Sequence, residues 1–191
     1  MFRIGTDRLM SLKLMNNINN EHTNPNYSFL AKLLHWCFII LFAYGIYKQV
    51  DDINQLEDIS FFRTEIVFAS VFLLFLTFRF LYMTKTQKTS LPTNTPKSQK
   101  LVAKIVHFSM YISLAGIAAT GLMIGYFFSL GLKDRFLIEL TIGIHEFLVS
   151  VIYWLISIHV IAAIYHRFQK DGVWNSMVPL WKENDNQIET K

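Results

Sequence analysis

The chain has 191 residues, of which 52% are apolar, 15% aromatic and 17% charged, whereas soluble domains average roughly 25% charged residues. The few charges are gathered in clusters separated by long uncharged runs, which argues against a water-soluble globule and against disorder. The single cysteine, Cys37, excludes an internal disulfide framework and thioether attachment of a c-type haem through paired thiols. The composition therefore predicts an integral membrane protein.

Four stretches are apolar enough to cross a bilayer as helices, which takes about 20 residues each. These spans are predicted at residues 29–47, 66–83, 105–132 and 147–166. We expect an all-α integral membrane four-helix bundle with up-down-up-down topology over residues 28–180. Residues 1–27 are expected to form a polar N-terminal segment without a removable signal peptide, and residues 181–191 a polar tail.

Local signals place the ends of two of these helices. Ser28 is a suitable N-cap for the first helix, because its hydroxyl can accept from an unpaired backbone N–H of the first turn. The stretch 84–100 mixes Lys, Thr and Ser with two prolines, so it is expected to be an exposed loop between the second and third helices.

The charges are sorted across the expected bundle. With four spans, both termini and the second loop lie on one side, which carries 14 of the 18 Lys and Arg residues. Counting 6 acids there, that side has a net charge of 14 − 6 = +8, and the other side has 4 − 8 = −4. Positive loops stay in the cytoplasm, so both termini are expected to be cytoplasmic. The basic balance then reflects topology, and no nucleic-acid partner is expected.

Four histidines fall inside the apolar spans or at the start of one, namely His35, His107, His145 and His159. Ionisable residues at such places usually face the bundle interior and mark a proton path, an ion path or a cofactor. Fourteen helical residues put His145 and His159 about 21 Å apart on nearly the same face. One helix thus offers an imidazole near each membrane surface. A b-type haem needs two axial imidazoles, or one with an open position, supplied by facing helices of a bundle.

These histidines admit other roles besides haem ligation. His35 and His159 both fall in the cytoplasmic half, where they can face each other across one haem plane. Hydrogen-bonded packing and a proton relay without a cofactor remain alternatives, and zinc is disfavoured because a structural site wants four close ligands. His22 and His166 are expected to be solvated or to lie among lipid headgroups.

Several segments resemble the bacterial and hydrogenase-type cytochrome b561 family over about residues 28–180. The likeness is carried by LLHW at His35, RFLY from Arg79, HFSMYISLAGIAATGLMIGY from His107, and HEFLVSVIYWLISIHVIAAIYHRFQKDGVWNSMVP from His145. The resemblance implies a four-helix membrane protein that holds haem b and exchanges electrons with quinone in the bacterial inner membrane.

The resemblance also implies ligands. His35 and His159 would hold the haem nearer the cytoplasm, and His145 would hold an outer haem with a histidine of the second helix. Glu65 occupies that second-helix place, and His107 lies in the wrong leaflet to replace it. Three outcomes are open for the outer site: a five-coordinate haem on His145, a haem between Glu65 and His145, or no haem. One haem b is expected, and the second stays open.

The expected function is a membrane-bound b-type cytochrome that transfers single electrons between a redox donor and the quinone pool. By family likeness the donor is superoxide, as in a superoxide:quinone oxidoreductase, or a hydrogenase, a dehydrogenase or another partner cytochrome. An acidic outer loop repels superoxide and disfavours that donor; its residues are Asp51, Asp52, Glu57 and Asp58. The alternative is a haem-free membrane subunit that anchors or assembles a partner complex.

Supporting residues have two readings each. Five cations are expected to form a cytoplasmic collar that meets haem propionates or anionic lipid, or that simply follows the topology rule; they are Arg79, Lys100, Lys104, Arg167 and Lys170. Gly121 and Gly125 predict close helix packing or room for a macrocycle. Glu146 is expected either to orient the imidazole of His145 or to lie among headgroups.

Overall fold

The computed structural model describes residues 27–48, 53–87, 91–92, 95–132 and 136–182. All regular structure in these residues is helical. The four long helices α1 to α4 are Phe29–Tyr47, Ile59–Thr86, Lys97–Ser129 and Phe136–Gln169. A 3₁₀ turn, Ile53–Glu57, precedes α2, and the short helix α5, Val173–Met177, follows α4. The predicted all-α architecture with four membrane-length helices is confirmed.

Three of the helices are longer than the predicted spans. α4 has 34 residues, which is about 51 Å of helix against a hydrocarbon core of about 30 Å. Hydropathy marks the apolar part of a helix, whereas its backbone hydrogen bonds continue through polar residues into the headgroup region. The predicted loop 84–100 is wrong at both ends for this reason, since Thr86 still belongs to α2 and Lys97 already belongs to α3.

Side-chain caps fix the first turns of α1 and α2. The hydroxyl of Ser28 accepts from the backbone N–H of Ala31 at 3.2 Å, which confirms the predicted N-cap. Asp58 accepts from the N–H groups of Ser60 and Phe61 at 2.8 and 3.3 Å. Each cap satisfies N–H groups that no helical carbonyl can reach.

The bundle core is small and rich in aromatic rings. Its buried residues are Phe38, Phe72, Leu76, Leu114, Ala118 and Ile152. The outward faces remain apolar and exposed, with Leu74 at 71% and Trp154 at 74%. All four long helices have the length and hydropathy to cross a membrane, so lipid is the medium that covers these faces.

Side-chain contacts define two ends of the bundle. At the end called here the Ser28 end, the Ser28 hydroxyl hydrogen-bonds the hydroxyl of Tyr82 at 2.9 Å, so the start of α1 lies beside the last turns of α2. At the opposite end, called the Glu65 end, Phe62 of α2 packs against Phe128 of α3. The predicted segments 1–27 and 181–191 lie outside the described residues apart from Tyr27, Trp181 and Lys182.

Candidate functional site

His35 of α1 and His159 of α4 face each other toward the Ser28 end. Their ring centroids are 6.5 Å apart, with an angle of 72° between the ring planes. Two metal–nitrogen bonds of about 2 Å, together with the half-widths of two imidazoles, separate the ring centroids of two axial ligands by about 6 Å. α1 packs on α2, α2 on α3 and α3 on α4, whereas the backbones of α1 and α4 stay further apart. The two side chains therefore fit a shared haem iron.

His107 of α3 lies beside this pair but cannot form a second one like it. Its ring centroid is 4.9 Å from that of His159, which is too short for an iron between the rings. Its Nδ1–H donates to the carbonyl of Ala103 at 2.7 Å, which turns the ring along its own helix. His107 is a neighbour of a candidate ligand, and within the described residues no group of three His, Cys, Asp or Glu side chains is gathered as a metal site.

Arg79 of α2 reaches the same place, and its partners there were not predicted from the sequence. Its Nη2 donates to Nδ1 of His35 at 2.8 Å, and its Nη1 donates to the hydroxyl of Tyr111 at 2.6 Å. The guanidinium also lies over the rings of Phe38 and Tyr111, at 5.8 and 5.4 Å from their centroids. Arg79 therefore contacts side chains of two other helices, and its standing as the one charge in the stretch 66–83 was the signal for such an interior role.

His145 of α4 is oriented by a hydroxyl of α3. Thr120 donates its single proton to the carbonyl of Gly116 at 2.7 Å, so at 2.9 Å it accepts from Nδ1–H of His145. The lone pair of the imidazole then sits on Nε2, the nitrogen that commonly ligates metals. The group that orients His145 is Thr120, and the predicted role of Glu146 is not observed, since Glu146 is exposed.

Glu65 is engaged with another partner. Its Oε1 lies 3.6 Å from Nζ of Lys48 on α1 and makes no hydrogen bond. Lys48 also lies 5.2 Å from the ring centroid of Phe61 and lines an open cavity of about 610 Å³. Among the described residues no hydrogen bond or ion pair joins Glu65 to His145, so the Glu65 end offers one oriented imidazole and an ion-paired carboxylate.

The two glycines of α3 have different surroundings. A Cβ on Gly125 would lie 2.3 Å from Cδ1 of Ile66, so this glycine lets α2 approach α3 closely. A Cβ on Gly121 would lie 3.6 Å from Cε1 of His145, an ordinary contact. Close packing is therefore the observed role at Gly125, and Gly121 instead lies against the ring of His145.

The segment after α4 folds back over the Ser28 end. Nδ1 of His166 lies 2.6 Å from Oδ2 of Asp171 and donates a hydrogen bond to it, a partner that was not predicted from the sequence. Nζ of Lys32 donates to the carbonyl of Asn175 at 3.1 Å, and the indole N–H of Trp36 donates to that of Met177 at 3.2 Å. α5 is thus tied to α1 within one helical turn of His35.

The fold and the arrangement of its histidines define a class: a four-helix membrane protein with imidazoles on helices that face each other. The sequence model of a family described as prokaryotic cytochrome b561 matches residues 26–180. The chain belongs to this family. No curated protein and no solved structure matches the chain. The protein is accordingly a membrane b-type cytochrome of electron transfer, and the family implies that it binds haem b.

Proposed function

We propose that the protein holds one haem b between His35 and His159 and passes single electrons between a redox donor and quinone in the bacterial inner membrane. The 6.5 Å separation of the two imidazole centroids, on helices whose backbones stand apart, is the observation that supports this most directly. A haem bound there supplies a one-electron iron couple whose potential depends on its axial ligands and on burial.

The chain's own residues would hold and shield that group. His35 and His159 would ligate the iron, and His107 packs against the edge of His159 and limits its movement. Lys32 and Trp36 bind the segment that contains α5 over the Ser28 end. This covering limits the access of water to the ligand pair, and exclusion of water is a lever by which a protein sets a haem potential.

A second haem is not part of the proposal. A haem with two axial imidazoles needs a partner for His145, and the side chain at the expected place is a carboxylate paired with Lys48. Displacing Lys48 would leave a cation unpaired, and a hard anionic ligand suits an electron relay near quinone poorly. Of the three outcomes that the sequence left open, these contacts favour the loss of the outer haem.

Charge supports the proposed side of the membrane, and the family supports the quinone partner. The excess of Lys and Arg at both termini and in the second loop supports a cytoplasmic position for the Ser28 end, and hence for the His35–His159 pair. Quinone is a lipid-soluble carrier that reaches the bundle from within the bilayer. The exposed apolar faces of the helices allow that approach.

The deciding experiment counts haem and assigns its ligands. We expect about one haem per polypeptide in a pyridine haemochrome assay of the detergent-purified protein. His35→Ala and His159→Ala should each abolish the low-spin b-type bands of the reduced-minus-oxidised spectrum, whereas His145→Ala should leave them unchanged. His166→Ala is the matched control on α4.

Two results would contradict the proposal. A colourless protein whose histidine variants accumulate normally would indicate a haem-free anchor subunit. Two haems per polypeptide, one of them lost in His145→Ala, would show that the Glu65 end also binds haem.

A further inference from the structure

The segment that follows α4 joins the two helices that carry the proposed haem ligands. α1 packs on α2, α2 on α3 and α3 on α4, whereas the backbones of α1 and α4 stay further apart. Without a direct link, the position of His35 relative to His159 would depend on three successive helix interfaces, and displacements would add up across them. The groups of a binding site must be held to within about 0.5 Å. A link between α1 and α4 therefore matters for this site.

The link begins with a sharp turn at the end of α4. Lys170 and Gly172 both have left-handed backbone, with φ of 54° and 80°, which turns the chain away from the helix axis. Asp171 fixes this turn with both of its carboxylate oxygens. Oδ2 accepts from Nδ1–H of His166 at 2.6 Å, and Oδ1 accepts from the N–H of Val173 at 3.1 Å. The start of α5 is thus tied to the last turn of α4.

The link ends on α1. The carbonyl groups in the last turn of a helix have no partner within that helix, and two such carbonyls of α5 accept hydrogen bonds from side chains of α1. Nζ of Lys32 donates to the carbonyl of Asn175 at 3.1 Å, and the indole N–H of Trp36 donates to that of Met177 at 3.2 Å. Lys32 and Trp36 are about one helical turn apart, and His35 lies between them in the sequence. The second attachment is therefore beside a proposed ligand.

We propose that residues 170–177, called here the strap, fix the spacing between α1 and α4, with Trp36 and Asp171 as the positioning residues at the two ends. The inference rests on the proposed haem between His35 and His159, and it names what keeps the two imidazoles at the separation that an iron needs. When the strap is released, α1 moves relative to α4 and the two rings no longer keep one separation. Bound haem then leaves the protein faster.

A segment that only covers the Ser28 end would also keep water from the ligand pair. Covering and spacing differ in what they do to the protein without haem, because a cover leaves the helices where they are. The chain offers a direct measure of this difference. Cys37 is exposed on α1 and is the single cysteine of the sequence, so one added cysteine on α4 gives a defined pair of spin labels.

The first measurement is the distance between α1 and α4 in the full-length, haem-free protein in detergent. Ile161→Cys supplies the second label, at a side chain that is 66% exposed and close to His159 in the sequence. Electron paramagnetic resonance should give a narrow distance distribution for the labelled protein with an intact strap, and a broader one when Trp36→Phe or Asp171→Ala is added. Asp171→Asn keeps one acceptor oxygen and should restore part of the narrow distribution.

The second measurement is the rate at which the haem-loaded protein releases haem to excess apomyoglobin. We expect release from Trp36→Phe to be about fivefold faster than from the wild type, the factor that corresponds to one hydrogen bond of about 1 kcal/mol. Haem that remains bound should keep its low-spin bands. Two controls should match the wild type in both measurements. Trp154→Phe changes a tryptophan on the lipid-facing side of α4, and Asp58→Ala removes a helix cap at the Glu65 end.

Each result supports or overturns the spacing role. Equal distance distributions in the wild type, Trp36→Phe and Asp171→Ala overturn it, and low-spin haem that depends on His35 and His159 then leaves the proposed function intact. Equal broadening in Asp58→Ala overturns it as well, because the effect would be a general loosening of the bundle. Broader distances with unchanged haem release also contradict it. If Asp171→Ala does not fold, Trp36→Phe decides. Failure of the wild type to bind haem overturns the proposed function, whereas the label distances still decide whether the strap spaces α1 and α4.

Discussion

Gly125 permits a close approach between α2 and α3, and the substitution Gly125→Ala tests it. The new Cβ would lie 2.3 Å from Cδ1 of Ile66 and 3.5 Å from the ring of Phe62, so Ile66 must change rotamer or the helices must separate. Overpacking of this kind costs about 1–3 kcal/mol. Alanine also gains about 1 kcal/mol over glycine in a helix interior, so the clean comparison is with a glycine that has free space.

Gly143 of α4 supplies that comparison, because a Cβ there would meet nothing within 4 Å. We expect Gly125→Ala to be less stable than Gly143→Ala by about 1–3 kcal/mol, or roughly 2–12 °C in the unfolding midpoint of a chain this size. The assay is thermal unfolding in detergent, followed by circular dichroism at 222 nm.

The cause can be tested by a second substitution on α2. Ile66→Val removes Cδ1 and leaves the next side-chain carbon, Cγ1, 3.5 Å from the added methyl group. Gly125→Ala combined with Ile66→Val should therefore cost less than the sum of the two single changes, with a coupling of about 1 kcal/mol or more. Equal midpoints for Gly125→Ala and Gly143→Ala, or strict additivity in the double variant, would refute the close packing.

Three further substitutions test other contacts. Asp58→Ala removes the cap of α2 and should cost about 0.5–2 kcal/mol in the same unfolding assay; no change would mean that the first turn needs no cap. Lys48→Met leaves Glu65 without its cation and should lower the midpoint, and adding Glu65→Gln should recover it, whereas a lower midpoint in the double variant would contradict the ion pair. Trp36→Phe removes the indole donor to Met177 and should speed tryptic cleavage at Lys182 severalfold on a gel, against an unchanged rate in Trp154→Phe on the lipid-facing side of α4.

The fold was largely predictable because bilayer physics leaves few solutions. A run of uncharged residues bounded by lysines predicts α1 within its observed bounds, Phe29–Tyr47, since both ends carry a signal. The other helices exceed their predicted spans because a helix does not end where the hydrocarbon ends. Lys97 opens α3 directly after Pro96, and proline is compatible with the start of a helix although it reads as a loop signal.

The candidate site was predictable in part. Helical spacing and depth suffice to bring His35 and His159 together, because both follow from the period of the helix and the alternation of its direction. The partners of these rings were not predictable, since they depend on how α2 and α3 rotate about their axes. From the sequence alone, Arg79 could equally point to lipid at the same depth, and the hydroxyl of Thr120 could hydrogen-bond only to carbonyls of its own helix. Side-chain partners across helices require coordinates.

The Glu65 end and the Ser28 end of the bundle differ in the partners of their candidate ligands as well as in the number of histidines. At the Glu65 end, Thr120 holds His145 in the tautomer that can bind a metal, but the carboxylate of Glu65 is paired with Lys48. At the Ser28 end two imidazoles stand at a suitable separation, but Arg79 holds His35 in the other tautomer. The Glu65 end has one oriented imidazole but no second ligand. The Ser28 end has two facing imidazoles, and one of them, His35, must change its tautomer before its Nε2 can bind a metal. A proton shift within one imidazole ring is a smaller obstacle than a missing ligand, because it requires no additional side chain. The contacts therefore favour the Ser28 end as the place of the proposed haem.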